Sequence, residues 1–307
     1  MNVKRMTFSL IALCVLSMML TSCSSDNNSS SRTGIGPTPS PSPSPSPSPS
    51  PSPSPQLTQA GYFIDGPVEG LTYTCKKGGV NGYEGITNKD GRFTCDDDDD
   101  TIVFMVGNIY LPEISITKII YPLSYFPGKE FNDPEVLQFV QFIMSAGTVD
   151  SDGNINVDAN PFEGRYGGYE YSDSLFNSLY AEGLIGVDRN AAEAHLESSL
   201  LQAYSGTYRG TYTDGYYGTG TWTVYLDGKG DITGSYYEYG YTGFIKGSYS
   251  PKGTMDADML ESDGTAEGGY KWYAEIDLAT GKAAGEWGEE ELGYFSKHGD
   301  VDGQLDE

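Results

Sequence analysis

Residues 206–240 read GTYRGTYTDGYYGTGTWTVYLDGKGDITGSYYEYG. Strand-like runs at Thr207–Thr213, Thr219–Leu226 and Ile232–Tyr239 are broken by Asp214-Gly215, Asp227-Gly228 and Tyr239-Gly240. Such dipeptides close hairpins, because their residues accept positive φ at little cost. Trp222, Val224 and Leu226 share one face, against Thr221, Thr223 and Tyr225. Period two with one apolar set means one buried face and one wet face. The rhythm continues through Phe244–Tyr249, Thr254–Leu260, Tyr270–Ile276, Lys282–Trp287 and Tyr294–Lys297. Their separators are Pro251-Lys252-Gly253, Asp263-Gly264, Thr280-Gly281 and an acidic turn over 288–293. Met255, Ala257 and Met259 again share a face, as do Tyr270, Trp272, Ala274 and Ile276. The pattern predicts eight hairpin-linked strands over 205–307, an antiparallel up-and-down barrel or meander with no open edge. Its outer faces carry acids, which argues against a barrel lying in lipid.

Upstream, the signals change. Tyr62-Phe63-Ile64, Leu71–Thr74 and Ile102–Val106 read as short strands, with turns at Asp65-Gly66, Gly78-Gly79 and Asp90-Gly91. Three helices follow. Asp133 caps the first, Pro134 opens it and Gly147 closes it, with Val136, Leu137, Val140, Ile143 and Met144 on one stripe. The second starts at Ser172 and ends before Gly183; the third starts near Asp188, with Ala192, Leu196, Ser199 and Leu200 on one face. The fold class is therefore mainly β with a small helical segment: a short-stranded β module with helices over 57–204, then the barrel.

The first residues have a different character. Lys4 and Arg5 precede an apolar run from Leu10 to Leu20, the layout of a secretory signal and too short for a spanning helix. Residues 1–22 are read as that signal. Residues 23–56 are a polar, Ser/Pro-rich stalk that buries too little apolar surface to order itself. Within it, the Ser-Pro repeat from Thr38 to Pro55 favours polyproline II and extends roughly 55 Å at ~3.1 Å per residue.

Leu20-Thr21-Ser22-Cys23 resembles the lipobox of bacterial lipoproteins. The resemblance implies cleavage before Cys23 and a lipid on its thiol. Ser24 is not Asp, which by the same resemblance favours the outer membrane of the cell envelope, with surface exposure. The barrel rhythm resembles the small meander barrels of bacterial surface lipoproteins, including the barrel halves of transferrin-binding lipoproteins; this is a likeness of layout. Phe63, Asp65, Pro67, Val68, Gly70, Leu71, Gly85, Thr87, Asp90, Gly91, Phe93 and Gly107 resemble a module of bacterial surface lipoproteins and adhesin-like proteins. No activity comes with that module.

Of four cysteines, Cys14 lies in the signal and Cys23 is the lipidation candidate. Cys75 and Cys95 remain as an even pair in an exported chain, which predicts a disulfide. With 307 residues the formal net charge is −25; removing residues 1–22 takes away Lys4 and Arg5 and leaves −27. Such a surface repels nucleic acid and anionic membrane, so the lipid anchor is the expected membrane contact. No catalytic motif is present: no G-x-S-x-G, no H-E-x-x-H and no P-loop. His195 and His298 are the two histidines, far apart in sequence, and His195 reads as a packed polar residue. Two acidic segments stand out. Asp96–Asp100 reads as a solvated like-charge loop. Asp150, Asp152, Asn154, Asn156 and Asp158 place oxygens at alternate positions and form a weak calcium candidate that fails EF-hand spacing. No other cofactor is expected.

Tyrosine is the remaining signal. Fourteen of 24 tyrosines and all three tryptophans lie from Tyr204 onward. Tyr216, Tyr217, Tyr237, Tyr239 and Tyr241 fall in or beside turns, where a barrel does not need them for its core. Tyrosine joins an apolar ring to a polar tip, which suits a protein or glycan partner. The expected function is a non-enzymatic binding or adhesion module on a lipid-anchored surface protein. A carboxylate-dependent glycan hydrolase and a structural envelope protein are the alternatives.

Overall fold

The structure is a computed structural model that describes residues 57–159, 161–162, 164–215, 218–261 and 266–306. The signal, Cys23, the Ser-Pro repeat, Tyr216 and Tyr217 lie outside the described residues. Residues 53–307 form one compact unit. Among the described residues it is mainly β, with three α-helices.

The chain opens with β1 (Leu57–Phe63), β2 (Val68–Glu69), β3 (Thr72–Lys77), β4 (Val80–Ile86) and β5 (Arg92–Asp96). β6 (Thr101–Val106), β7 (Ile109–Tyr110), β8 (Ile114–Ser115) and β9 (Ile119–Ile120) follow, then a 3-10 turn over Pro122–Tyr125. One sheet has the order β5-β1-β9; another is β4-β3-β6-β7, with β8 also on β6. Phe63, Tyr73, Phe93 and Phe104 fill the space between them, with ring centroids 5.0–6.0 Å apart. Cys75 and Cys95 are bonded, their Cα atoms 5.8 Å apart, and so join these two sheets.

The helices are α1 (Pro134–Ser145), α2 (Asp173–Ala181) and α3 (Arg189–Ala203), with the hairpin β10 (Gly147–Val149) and β11 (Ile155–Val157) after α1. Ser172 and Asp188 cap α2 and α3, accepting from Leu175 N and Ala191 N. Gly147 does not close α1; Ala146 does, and Gly147 begins β10. It must be glycine because a Cβ there would stand 1.9 Å from Asn156 O. The Asp133 side chain makes no cap bond and accepts from Glu130 N instead.

The rest is a closed barrel of eight antiparallel strands in sequence order: β12 (Gly206–Asp214), β13 (Gly218–Leu226), β14 (Asp231–Glu238), β15 (Tyr241–Tyr249), β16 (Thr254–Leu260), β17 (Ala266–Asp277), β18 (Lys282–Glu291) and β19 (Tyr294–Leu305). β19 returns to pair with β12 and removes both edges. Trp222, Val224, Leu226, Met255, Ala257, Met259, Trp272, Ala274 and Ile276 are buried, as their alternation requires. Trp222 and Trp272 meet edge-on at 5.0 Å in the middle of the lumen. Rings also lie over inward glycines: Tyr212 over Gly220, Tyr236 over Gly243 and Trp222 against Gly210, each on a neighbouring strand, and Trp222 also against Gly303 on β19, two strands away. An eight-stranded barrel is just wide enough for such filling.

The acidic segment over 288–293 is not a turn. Gly288 to Glu291 belong to β18, and Leu292-Gly293 makes the turn. One end of the barrel rests on α3. Tyr208 and Tyr249 donate their hydroxyls to Tyr204 O (3.1 Å) and Leu201 O (2.9 Å). These are carbonyls at the end of a helix, which have no partner within it. Lys252 adds an ion pair to Glu130 at 2.5 Å.

Candidate functional site: the distal end of the barrel

In an up-and-down barrel alternate hairpins point the same way. The ends of β12, β14, β16 and β18 therefore lie opposite the end that meets α3. Two described turns stand there, Tyr239-Gly240 and Leu292-Gly293. Their φ values are 46° and 88°, then 53° and 81°, the two left-handed residues of a type I′ turn. Asn or Gly fits the first of these positions without penalty. A bulky L-residue there costs about 1–3 kcal/mol. Among the described residues only Tyr166, Tyr239 and Leu292 are non-glycines at positive φ. Two of those three stand on this one end.

Both side chains face outward. Tyr239 is 67% exposed and Leu292 is 92% exposed; beside them Tyr241 is 78% and Tyr294 is 82% exposed. Tyr237 is 52% exposed on the outer face of β14. The structure thus places Tyr237, Tyr239 and Tyr241 at or next to one hairpin tip. Leu292 and Tyr294 were missed by the sequence reading, because the turn was placed across 288–293. The signal available was the dipeptide Leu-Gly, which repeats the Tyr239-Gly240 pattern.

Just inside this end lies a belt of rings. Tyr212 meets Tyr236 at 6.4 Å and Trp287 at 5.5 Å; Trp287 meets Tyr270 at 5.9 Å and His298 at 5.3 Å. Trp287 Nε1 donates to Thr213 O at 2.7 Å, which fixes the indole. Glu238 follows Tyr236 on the same face of β14 and accepts from the Tyr212 hydroxyl at 3.1 Å through Oε2. Its Oε1 is buried without a hydrogen-bond partner. Burial pushes the Glu238 carboxyl above its usual range; the bond from Tyr212 opposes this and Asp214 adds to it.

The calcium candidate has a different arrangement. Asp150 Oδ1 accepts from Asp152 N and Asn154 N, both at 2.9 Å, and Oδ2 accepts from Asn154 Nδ2. These bonds hold the Asp150 carboxyl below its usual range and stitch the β10–β11 turn. Asn156 donates to Glu69 on the neighbouring strand. Asp152 and Asp158 point into solvent. Among the described residues, the one cluster of three Cys, His, Asp or Glu side chains with ligand-like approach is Cys75, Cys95 and Asp99. Its cysteines are already bonded to each other and offer no thiolate. The acid run 96–100 is organised rather than merely solvated: Asp98 pairs with Lys77, Asp100 accepts from Gly78 N, and buried Asp99 accepts from Asp96 N.

A hydrolase of the carboxylate type needs two carboxyls facing one cleft. A cleft of about 520 Å³ on the β module is lined by one carboxylate, Glu113. The ion pair to Lys76 and the bond from Thr101 hold that carboxyl below its usual range. The strongly raised carboxyl, Asp65, is fully buried elsewhere, with His195 Nε2 2.6 Å from its backbone oxygen and 3.5 Å from Oδ1. The two carboxyls do not share a cleft. Set against known proteins, the chain matches no family model and no curated protein.

Proposed function

We propose that this chain is a lipid-anchored protein of a bacterial envelope, held by Cys23, that presents a non-enzymatic binding module at the distal end of its barrel. The observation that carries the reading is the pair of strained hairpin tips. Folding alone favours Asn at positions 239 and 292. The chain instead holds a tyrosine and a leucine there, both largely exposed, with Tyr241 and Tyr294 beside them in sequence. The two tips stand four strands apart on the rim of the same barrel end, each with exposed apolar groups, and such exposed groups mark contact surfaces. Strain retained at a site points the same way. The expected partner is a protein or glycan that receives the aromatic tips. The acidic surface adds steering toward basic partners, so capture weakens as salt rises.

The test separates stability from binding. Tyr239→Asn and Leu292→Asn relieve the backbone strain, and each is expected to stabilise the barrel by about 1 kcal/mol, read as a higher thermal midpoint. The same variants lose capture on a glycan and protein array probed with the soluble chain from Ser24. A second variant, with Tyr216, Tyr217, Tyr237, Tyr239 and Tyr241 changed to Ser, loses capture as well. Undiminished capture by both would show that the tips are not the contact surface. Consumption of an arrayed glycan by the wild type would replace this reading with an enzymatic one.

A further inference from the structure

The outer wall of the barrel is made of two unlike halves. On β16 to β19 the outward positions include Asp256, Asp258, Glu275, Asp277, Asp300 and Asp302. On β12 to β15 the one outward acid is Asp231, at the end that meets α3; hydroxyl and aromatic side chains take most of the other outward positions. In a chain whose formal net charge is −25, a wall nearly free of acid is set apart from the rest of the surface. We propose that the outer wall of β12 to β15 binds a neutral saccharide chain.

The rings are the first reason. Tyr225, Tyr237 and Phe244 are 53%, 52% and 46% exposed. The strand register gathers them around Ser235. Phe244 is its direct partner on β15, Tyr237 lies two residues along β14, and Tyr225 lies two residues from its partner Thr223 on β13. Neighbours of these kinds on one face stand about 5–8 Å apart. Thr223 and Thr233 adjoin Ser235 on the same face, so the rings surround a floor of short hydroxyl side chains. A pyranose offers an apolar C–H face to such a ring and a rim of hydroxyls to such a floor.

The polar groups are the second reason. The hydroxyls of Thr221, Thr223, Thr233, Ser235 and Thr242 bond to no described residue, and all five side chains are exposed or half-buried. A hydroxyl both donates and accepts, so this wall matches a ligand that does the same at many points along its length. Charge selects a neutral one. The bases on the wall are Arg209, paired with Asp306 at 2.9 Å, and Lys246, whose strand partner on β16 is Asp258. They do not offset the field of the whole molecule, which repels a polyanion. A polycation finds its carboxylates on the other half of the barrel. A second copy of the chain asks for a wider apolar area than three rings set among hydroxyls.

Calorimetry on the soluble chain from Ser24 tests this with cellohexaose, laminarihexaose, maltohexaose, xylohexaose and mannohexaose. Saturable binding of at least one is expected, with an affinity indifferent to salt. Tyr225→Thr combined with Phe244→Thr is expected to weaken it about tenfold. Threonine keeps the strand preference, so the thermal midpoint stays and weaker binding there is not unfolding. Phe244→Tyr keeps a ring and is expected to bind as the wild type does. Tyr237 is left unchanged because it also adjoins a distal tip. Tyr239→Asn combined with Leu292→Asn is expected to bind the hexaose unchanged, so the wall and the tips stand or fall separately. No saturable binding of any hexaose, equal affinity after both threonine substitutions, tighter binding of hexagalacturonate or hexalysine, or loss of binding in the tip variant would each overturn the proposal. A dimer in sedimentation that the two threonine substitutions abolish would assign the wall to a second copy instead.

Discussion

Asp65 carries an ionisable group where water does not reach. Both carboxylate oxygens are buried without hydrogen bonds, and His195 approaches one of them at 3.5 Å. Desolvation pushes the carboxyl up to about 6, against the attraction of His195, which lowers it. The folded state therefore holds this proton more tightly than the unfolded chain does. Stability from the protonated form is complete below about pH 4 and is lost as pH rises through about 6. Asp65→Asn is expected to stabilise the chain at pH 7 by on the order of 2 kcal/mol, with no gain at pH 4. His195 keeps its bond to the backbone oxygen of residue 65 in that variant. Urea unfolding at the two pH values decides it; no gain at pH 7 would mean that the carboxylate is solvated. In the sequence, Asp65-Gly66 reads as an ordinary turn. The partner that buries it is on α3, 130 residues later, and no local pattern reports a contact of that range. His195 was legible as a packed polar residue, but its partner was not.

The elements of the barrel depend on large rings resting over absent side chains. Tyr212 and Gly220 are cross-strand partners, and a Cβ on Gly220 would stand 2.3 Å from the ring. Gly220→Ala is expected to destabilise the barrel by about 1–3 kcal/mol, because the ring must leave its rotamer or the strands must part. Gly186→Ala, where nothing lies within 4 Å, is the control and should be near neutral. Thermal melts followed by tryptophan fluorescence compare the two. The same pairs explain which strands the sequence showed. Strands with alternating Trp, Val, Leu and Met declared their inner face. β19 was expected to end at Lys297 and runs to Leu305. Gly299, Asp300, Asp302 and Gly303 depress strand propensity, yet Gly303 is required because the Trp222 ring would lie 2.1 Å from its Cβ. β4 was missed for a like reason: Tyr73 covers Gly85, so the strand shows a gap where it is packed.

For the whole molecule, the order and closure of the barrel were legible because each of its strands pairs with its neighbour in sequence, but the upstream pairings that skip along the chain, such as β1 with β5 and β9, were not. The mutual support of barrel and helices was not, since the Tyr208 and Tyr249 hydroxyls could not be assigned acceptors on α3 in advance. A fragment of residues 200–307 retains Leu201 and Tyr204, the two acceptors. It is expected to melt cooperatively with a β-type circular dichroism spectrum, and at a lower temperature than residues 53–307, because the Lys252–Glu130 pair and the helical support are gone. A disordered spectrum would show that the barrel needs the upstream chain to fold.

The barrel enters and leaves by the end that meets α3: β12 begins there, and β19 finishes there, pairing back onto β12. The two described connections at the far end, Tyr239-Gly240 and Leu292-Gly293, are then simple two-residue reversals between neighbouring strands. Such reversals can be lengthened, shortened or exchanged one at a time while the ladder, its register and the lumen stay as they are. The molecule is in this sense a display frame, in which the address carried by the fingertips is written separately from the frame that holds them up.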